Sequence, residues 1–184
     1  IATAAAQHET QPFEQALLMS TPSYTSDDVD TLDIVIFGGA GDLSFRKLLP
    51  ALYMAHLHDK LPALARIVAI GRQPWSRDEY IAFIDQRTPA FIEQSSFNPA
   101  DWQRFLARLV YVTLDVTQAS DYAKLKAVCD TPMLRVFYLA TAPSLFTQIC
   151  AHLSAAGLVD ARARVVLEKP LGTDLASARQ INAE

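Results

Sequence analysis

Three glycines open the chemistry of this chain. Gly38, Gly39 and Gly41 follow the apolar run LDIVIF and precede the helix-like segment SFRKLLPALY. Two registers fit, Gly38-x-x-Gly41-x-x-Ser44 and Gly39-x-Gly41-x-x-Ser44. Both put small residues where a backbone turns tightly, approaches a pyrophosphate and lets a helix pack close to a sheet. A helix start supplies free N–H groups and a positive dipole end to phosphates. A glycine turn without any ligand is the plain alternative. A P-loop is excluded, because no Gly-Lys-Ser/Thr follows. The second element of chemistry is Arg72, just past the run RIVAIG, with no acidic residue before Asp78. NAD sites place a carboxylate at that point for the ribose hydroxyls, and NADP sites place a guanidinium for the extra phosphate. Arg72 therefore favours NADP, against the reading of an ordinary surface arginine. The third is LEKPLG, with Glu168, Lys169, Pro170 and Gly172. A lysine outside a strand end suits an anionic substrate or a polarised hydroxyl, whereas an exposed Glu-Lys pair is more often solvated.

These residues need elements to hold them. The chain has 184 residues, 51% of them apolar and 20% charged. That is an ordinary globular composition with enough chain for one core. A net charge of −4 argues against nucleic acid as a main partner. No apolar run is long enough to span a bilayer. Cys129 and Cys150 have no metal-ligand spacing and read as reduced, mostly buried thiols of a cytoplasmic protein. Residues 1–31 read as a flexible extension rich in Ala, Thr, Ser and Gln. From residue 32 the chain alternates. LDIVIF, RIVAIG, LVYVTLDV, RVFYLA and ARVVLEK read as strands, each followed by a helical segment. Leu48, Leu49, Leu52 and Ala55 share one face of the first helix. Ser76 and Glu79 form a capping box, Pro89 stops that helix, and Gly157 stops a later one. A last helix starts at Thr173. Uniformly apolar strands alternating with helices predict an α/β fold: a Rossmann-type, doubly wound, mainly parallel sheet with helices on both faces. The chain stops inside an element, which reads as the first domain of a longer protein.

In such a sheet the remaining candidates fall at strand ends. Asp115 and Val116 end the third strand, where Asp115 either lines an adenine pocket or caps the next helix. Pro143 ends the fourth, where it either starts a helix or shapes a turn that holds a flat ring.

The segments GGAGDLSFRKLLPALY, AIGR, LDVT, VFYLATAPSLF and RVVLEKPLGTDL, in that order, resemble the glucose-6-phosphate dehydrogenase family. The resemblance runs from residue 32 to the end and implies the coenzyme-binding domain of an enzyme oxidising glucose 6-phosphate with NADP. It implies that Gly38, Gly39, Ala40, Gly41, Asp42 and Leu43 bind pyrophosphate, and that Arg72 binds the adenosine phosphate. Asp115 and Val116 would line the adenine side, and Pro143 and Phe146 the nicotinamide side. Lys169 would touch coenzyme and sugar phosphate. Lys47, taken as buried one turn inside the first helix, matches a lysine linked to the reaction. A homo-oligomer is implied for the full-length protein. Ser44 stands for the usual Ala, Phe45 for a basic residue, and the pair before the arginine shortens to Gly71-Arg72. The family's phosphate-binding segment Arg-Ile-Asp-His-Tyr-Leu-Gly-Lys and its histidine base are absent. Only His8, His56, His58 and His152 are present, and His58-Asp59 reads as a surface pair.

Two rivals remain. Tyr122-x-x-x-Lys126 has the spacing of a short-chain reductase pair but lies before the fourth strand instead of after it. A non-catalytic NADP sensor or scaffold would use the same cradle.

Overall fold

The computed structural model describes residues 31–167. The extension through residue 30, Lys169 with its loop, and the helix expected from Thr173 lie outside the described residues.

Five strands form one parallel sheet: β1 Leu32–Phe37, β2 Arg66–Gly71, β3 Leu109–Thr113, β4 Leu134–Leu139 and β5 Ala163–Leu167, in the order β3-β2-β1-β4-β5. The chain winds outward from β1 in one direction, then returns to β1 and winds the other way. This is the doubly wound arrangement expected from the alternation of apolar runs and helices.

Strand alternation divides the core in two. Val35, Phe37, Val68, Ile70, Phe137 and Leu139 face one layer. There α4 (Tyr122–Val128) and α5 (Phe146–Ala155) cover them with Tyr122, Leu125, Ile149 and Leu153. Ile36, Ile67, Ala69 and Tyr111 face the other layer. There α1 (Leu49–Leu57), α2 (Arg77–Arg87) and α3 (Pro99–Leu106) supply Leu49, Tyr53, Tyr80, Ile84, Trp102 and Phe105. Because both faces of β1, β2 and β4 are covered, their middles and carboxyl ends are apolar; at the edge, Val165 and Val166 of β5 are exposed among the described residues.

The expected punctuation is present. Ser76 and Glu79 form both halves of the capping box of α2. That helix ends before Pro89. Gly157 follows α5 with a φ of 68°. One local feature differs from a regular first helix. Ser44–Leu48 is a π-helical turn, closed by the Leu49 N–H on the Ser44 carbonyl, before α1 begins. Pro50 accounts for it: proline has no N–H for the carbonyl four residues back, and its ring crowds that carbonyl. The wider turn also rotates the buried stripe, so Leu49, Pro50 and Tyr53 are buried and Leu48 and Leu52 only partly.

At the amino ends of the strands lies a buried charge cluster. Asp33 pairs in register with Arg66 on β2 and Arg135 on β4. It accepts two hydrogen bonds from the Arg66 guanidinium at 2.8 and 2.9 Å, and Arg135 Nε lies 3.7 Å away. Arg135 also donates to the carbonyls of Cys129 and Thr131. Cys129 is a free thiol that burial pushes up to about 11.

Candidate functional site

At the carboxyl ends of the strands the chain makes an open cleft of about 420 Å³. It lies at the point where the winding reverses, between the ends of β1 and β4, where open α/β sheets bind their ligands. Four strand ends supply it: Gly38, Ala40 and Gly41 after β1; Ile70 to Gln73 at β2; Leu114 to Thr117 after β3; and Thr141 and Leu145 after β4.

The glycine turn forms the floor. Gly38 has a φ of 83°, and a Cβ there would lie 2.5 Å from the Ala140 carbonyl oxygen. A Cβ on Gly39 would lie 2.5 Å from the Ala69 Cβ. The turn is therefore pressed against both β4 and β2. The N–H groups of Gly38 and Gly39 donate to the Ile70 carbonyl at 3.1 and 2.8 Å, and Gly41 N–H donates to the Gly38 carbonyl at 2.8 Å. Buried Ser44 donates its hydroxyl to the same Gly38 carbonyl at 2.9 Å. Ser44, in place of the expected alanine, thus closes the turn with an added hydrogen bond. The backbone turns helical at Asp42; Ser44 and Phe45 N–H donate to the Gly41 carbonyl at 3.0 and 3.3 Å, which leaves the N–H groups of Asp42 and Leu43 as the donors of the helix start.

Arg72 is exposed in the wall, one residue past β2, and Gln73 follows it. Asp115 faces the same space. Its carboxylate accepts the Thr117 N–H at 2.9 Å and the Thr117 hydroxyl at 2.8 Å. Those two bonds, with a smaller pull from Arg72, hold the Asp115 carboxyl below the usual carboxylate range. Asp115 therefore makes its own turn, and does not cap α4. Its N–H is in turn accepted by the Asp121 carboxylate. Apolar Ile70, Leu114 and Val116 line the walls between these polar groups.

The residues singled out in the sequence divide into groups. Gly38, Ala40, Gly41, Arg72, Asp115 and Val116 come together around the cleft. Gly39 is buried beneath it. Asp42 is exposed beside the turn and pairs with Arg46 at 3.0 Å, and Leu43 is half-buried. Pro143 is exposed and starts a short 3-10 turn, Pro143–Leu145. Phe146 points into the core, 2% exposed, while Leu145 before it reaches the cleft. Lys47 is exposed, which corrects the expectation of burial: the π-helical turn carries it on the outer face. Lys169 is outside the described residues.

Gln73, Thr117, Thr141 and Leu145 line the cleft without having been singled out. The Asp-x-Thr spacing at 115–117 is a recognisable turn signal for Thr117. Nothing local marks the other three, which reach the cleft only because parallel strand ends converge.

A dinucleotide fits this set. The glycine turn leaves no side chain between backbone and ligand. The Thr141 hydroxyl is buried in the wall without a hydrogen-bond partner, as a group awaiting a polar ligand would be. Among the described residues, no cluster of His, Cys, Asp or Glu could hold a metal ion, and no helix is long and apolar enough to cross a membrane. None of His56, His58 and His152 lines the cleft: His58 caps α1, and His152 lies against the Tyr122 ring. Tyr122 is buried and donates its hydroxyl to the Val116 carbonyl at 3.1 Å, and burial raises its pKa. It is a structural tyrosine, poorly placed to act as a reductase acid.

Comparison with known proteins agrees with this geometry. Residues 35–184 match the family model described as glucose-6-phosphate dehydrogenase, NAD binding domain. The chain is 44% identical over 164 residues to a glucose-6-phosphate 1-dehydrogenase of Mycolicibacterium smegmatis, covering 86% of this chain and 33% of the relative. It is 41% identical over 158 residues to one from Gluconobacter oxydans, covering 84% and 32%. The crystal structure of glucose-6-phosphate 1-dehydrogenase from Mycobacterium avium superposes with a TM-score of 0.73 at 34% identity, covering 82% of this chain and 32% of that one. A glucose-6-phosphate dehydrogenase in complex with its substrate glucose-6-phosphate superposes with a TM-score of 0.71 at 27% identity, covering 85% and 34%. The chain spans about a third of the length of these relatives.

Proposed function

The chain belongs to the glucose-6-phosphate dehydrogenase family, and from that premise we propose that residues 32–184 are the NADP-binding domain of an enzyme that oxidises glucose 6-phosphate to 6-phosphogluconolactone. The observation that carries this reading is the meeting of the glycine turn and Arg72 in one cleft at the reversal of the sheet.

The bound coenzyme supplies the hydride acceptor. The residues of this chain bind and orient. The glycine turn lets the backbone approach the pyrophosphate without a side chain between, and the N–H groups of Asp42 and Leu43 at the helix start are the donors that meet it, because those of Gly38, Gly39 and Gly41 close the turn itself. The Arg72 guanidinium matches a 2′-phosphate in charge and shape. Ile70, Leu114 and Val116 offer apolar walls to the adenine. Thr141 and Leu145 border the half of the cleft toward β4, the side assigned by the resemblance to the nicotinamide with Pro143 and Phe146. By the family resemblance Lys169 is assigned to the sugar phosphate and the coenzyme, and Lys47 to the reaction. The C1 hydroxyl must lose a proton to a base with a pKa near working pH. No described histidine lines the cleft, so we assign the base to residues outside this set. Homo-oligomerisation and a cytoplasmic location belong to the same reading.

The test is coenzyme reduction by the full-length protein. It should reduce NADP with glucose 6-phosphate, and absence of reduction with that sugar would remove the assignment. Arg72→Ala should weaken NADP binding ~10- to 100-fold, the scale of a hydrogen bond to a charged group, and leave NAD within about twofold. Equal affinity of variant and parent for NADP would show that Arg72 is not the phosphate ligand.

A further inference from the structure

The segment that carries Arg72 is held from behind. Gln73 presents its backbone carbonyl to two hydroxyls from β3: Tyr111 donates at 3.0 Å and Thr113 at 3.0 Å. The Trp75 N–H donates to the same oxygen at 2.8 Å. Gly71, on the other side of Arg72, fits against the same phenol, because a Cβ there would lie 2.5 Å from the Tyr111 hydroxyl. The Tyr111 ring is itself fixed. It stacks on Tyr80 with centroids 4.7 Å apart and 19° between planes. Tyr80 is fully buried and donates to the Gly39 carbonyl at 2.9 Å. Burial raises the pKa of both phenols, so both stay donors.

We propose that Tyr111 is a positioning residue for Arg72: by holding the Gly71–Gln73 backbone from β3, it sets the preference for a 2′-phosphorylated adenosine. An exposed arginine on an unrestrained loop loses rotamer and backbone freedom on meeting a phosphate. With its two flanking residues fixed, less is lost and the guanidinium starts near its target. The hydroxyl of Tyr111 never touches the ligand; it acts through the loop. This inference rests on the assignment of Arg72 to the 2′-phosphate.

The test titrates the full-length protein by calorimetry with adenosine 2′,5′-bisphosphate and with 5′-AMP, which differ only in the 2′-phosphate. Tyr111→Phe keeps the ring and its stack and deletes the donor. It should lower affinity for the bisphosphate about 3- to 10-fold, the scale of one hydrogen bond, and leave 5′-AMP within about twofold. Thr113→Val, which removes the other hydroxyl from the same carbonyl, should act in the same direction and decides the matter where Tyr111→Phe does not fold. In an Arg72→Ala background Tyr111→Phe should cause no further loss, because both act through one contact. An equal loss of both ligands would assign Tyr111 a purely structural role and overturn the proposal. So would an unchanged preference in Tyr111→Phe beside a lost preference in Arg72→Ala, which leaves the Arg72 assignment standing. A preference unchanged in both variants removes the Arg72 assignment as well.

Discussion

A single methyl group is too much at Gly39. A Cβ there would sit 2.5 Å from the Ala69 Cβ and 2.8 Å from its Cα, atoms of a central strand that cannot move aside. Gly39→Ala should therefore lift the turn from the sheet, costing about 1–3 kcal/mol. The check is thermal unfolding together with coenzyme titration. An unchanged midpoint with unchanged affinity would mean that the turn is looser than its contacts indicate. At this scale the sequence marks glycines, Arg72 and Asp115 because their chemistry is local: a φ of 83° at Gly38, a guanidinium just past a strand end, an Asp-x-Thr turn. It does not mark Tyr80 and Tyr111, which reach the site only through packing between elements 41 and 38 residues away. It also misplaces Phe146 and Lys47. Which of two adjacent side chains faces the core depends on helix phase, and the π-helical turn and the 3-10 turn shift that phase.

At the scale of elements, the two ends of the sheet have separate tasks. The carboxyl ends hold the cleft, and the amino ends are fastened by Asp33, Arg66 and Arg135. Asp33 is fully buried and Arg135 is 5% exposed. Removing the carboxylate leaves the buried Arg135 guanidinium without its counter-charge, beside a half-buried Arg66. Asp33→Ala should cost about 3 kcal/mol, because an uncompensated buried charge remains. Urea unfolding measures that loss. Coenzyme affinity in the folded fraction should stay within about twofold, since the cluster lies at the far end of β1 from Gly38. A large loss of affinity would show that the two ends are coupled. The strands themselves are legible from their apolar runs, and their parallel pairing from the intervening helices. Their order is not, because nothing in an apolar run says which neighbour it pairs with. Asp33, Arg66 and Arg135 stand at matched positions of three strands, a register that shows only once the strands are paired.

For the molecule as a whole, the cleft reads as a place that holds a coenzyme but has no described histidine beside it. The 184-residue chain alone should bind adenosine 2′,5′-bisphosphate and form no NADPH from glucose 6-phosphate. NADPH formed above a protein-free blank by the purified chain would show that its own residues complete the chemistry. The sheet order has a separate consequence, for the making of the protein. β1 is both the first strand and the central one, and its second partner, β4, is complete only at Leu139. One edge of β1 thus waits through about 100 residues of translation, on the order of 5–20 s at ordinary elongation rates. During that wait LDIVIF is an apolar, β-prone segment with an open edge, the kind that seeds aggregation. Its only charge is Asp33. Before its two arginines arrive, that carboxylate is a hydrated gatekeeper on a nascent strand; afterwards it is the clasp that closes the sheet.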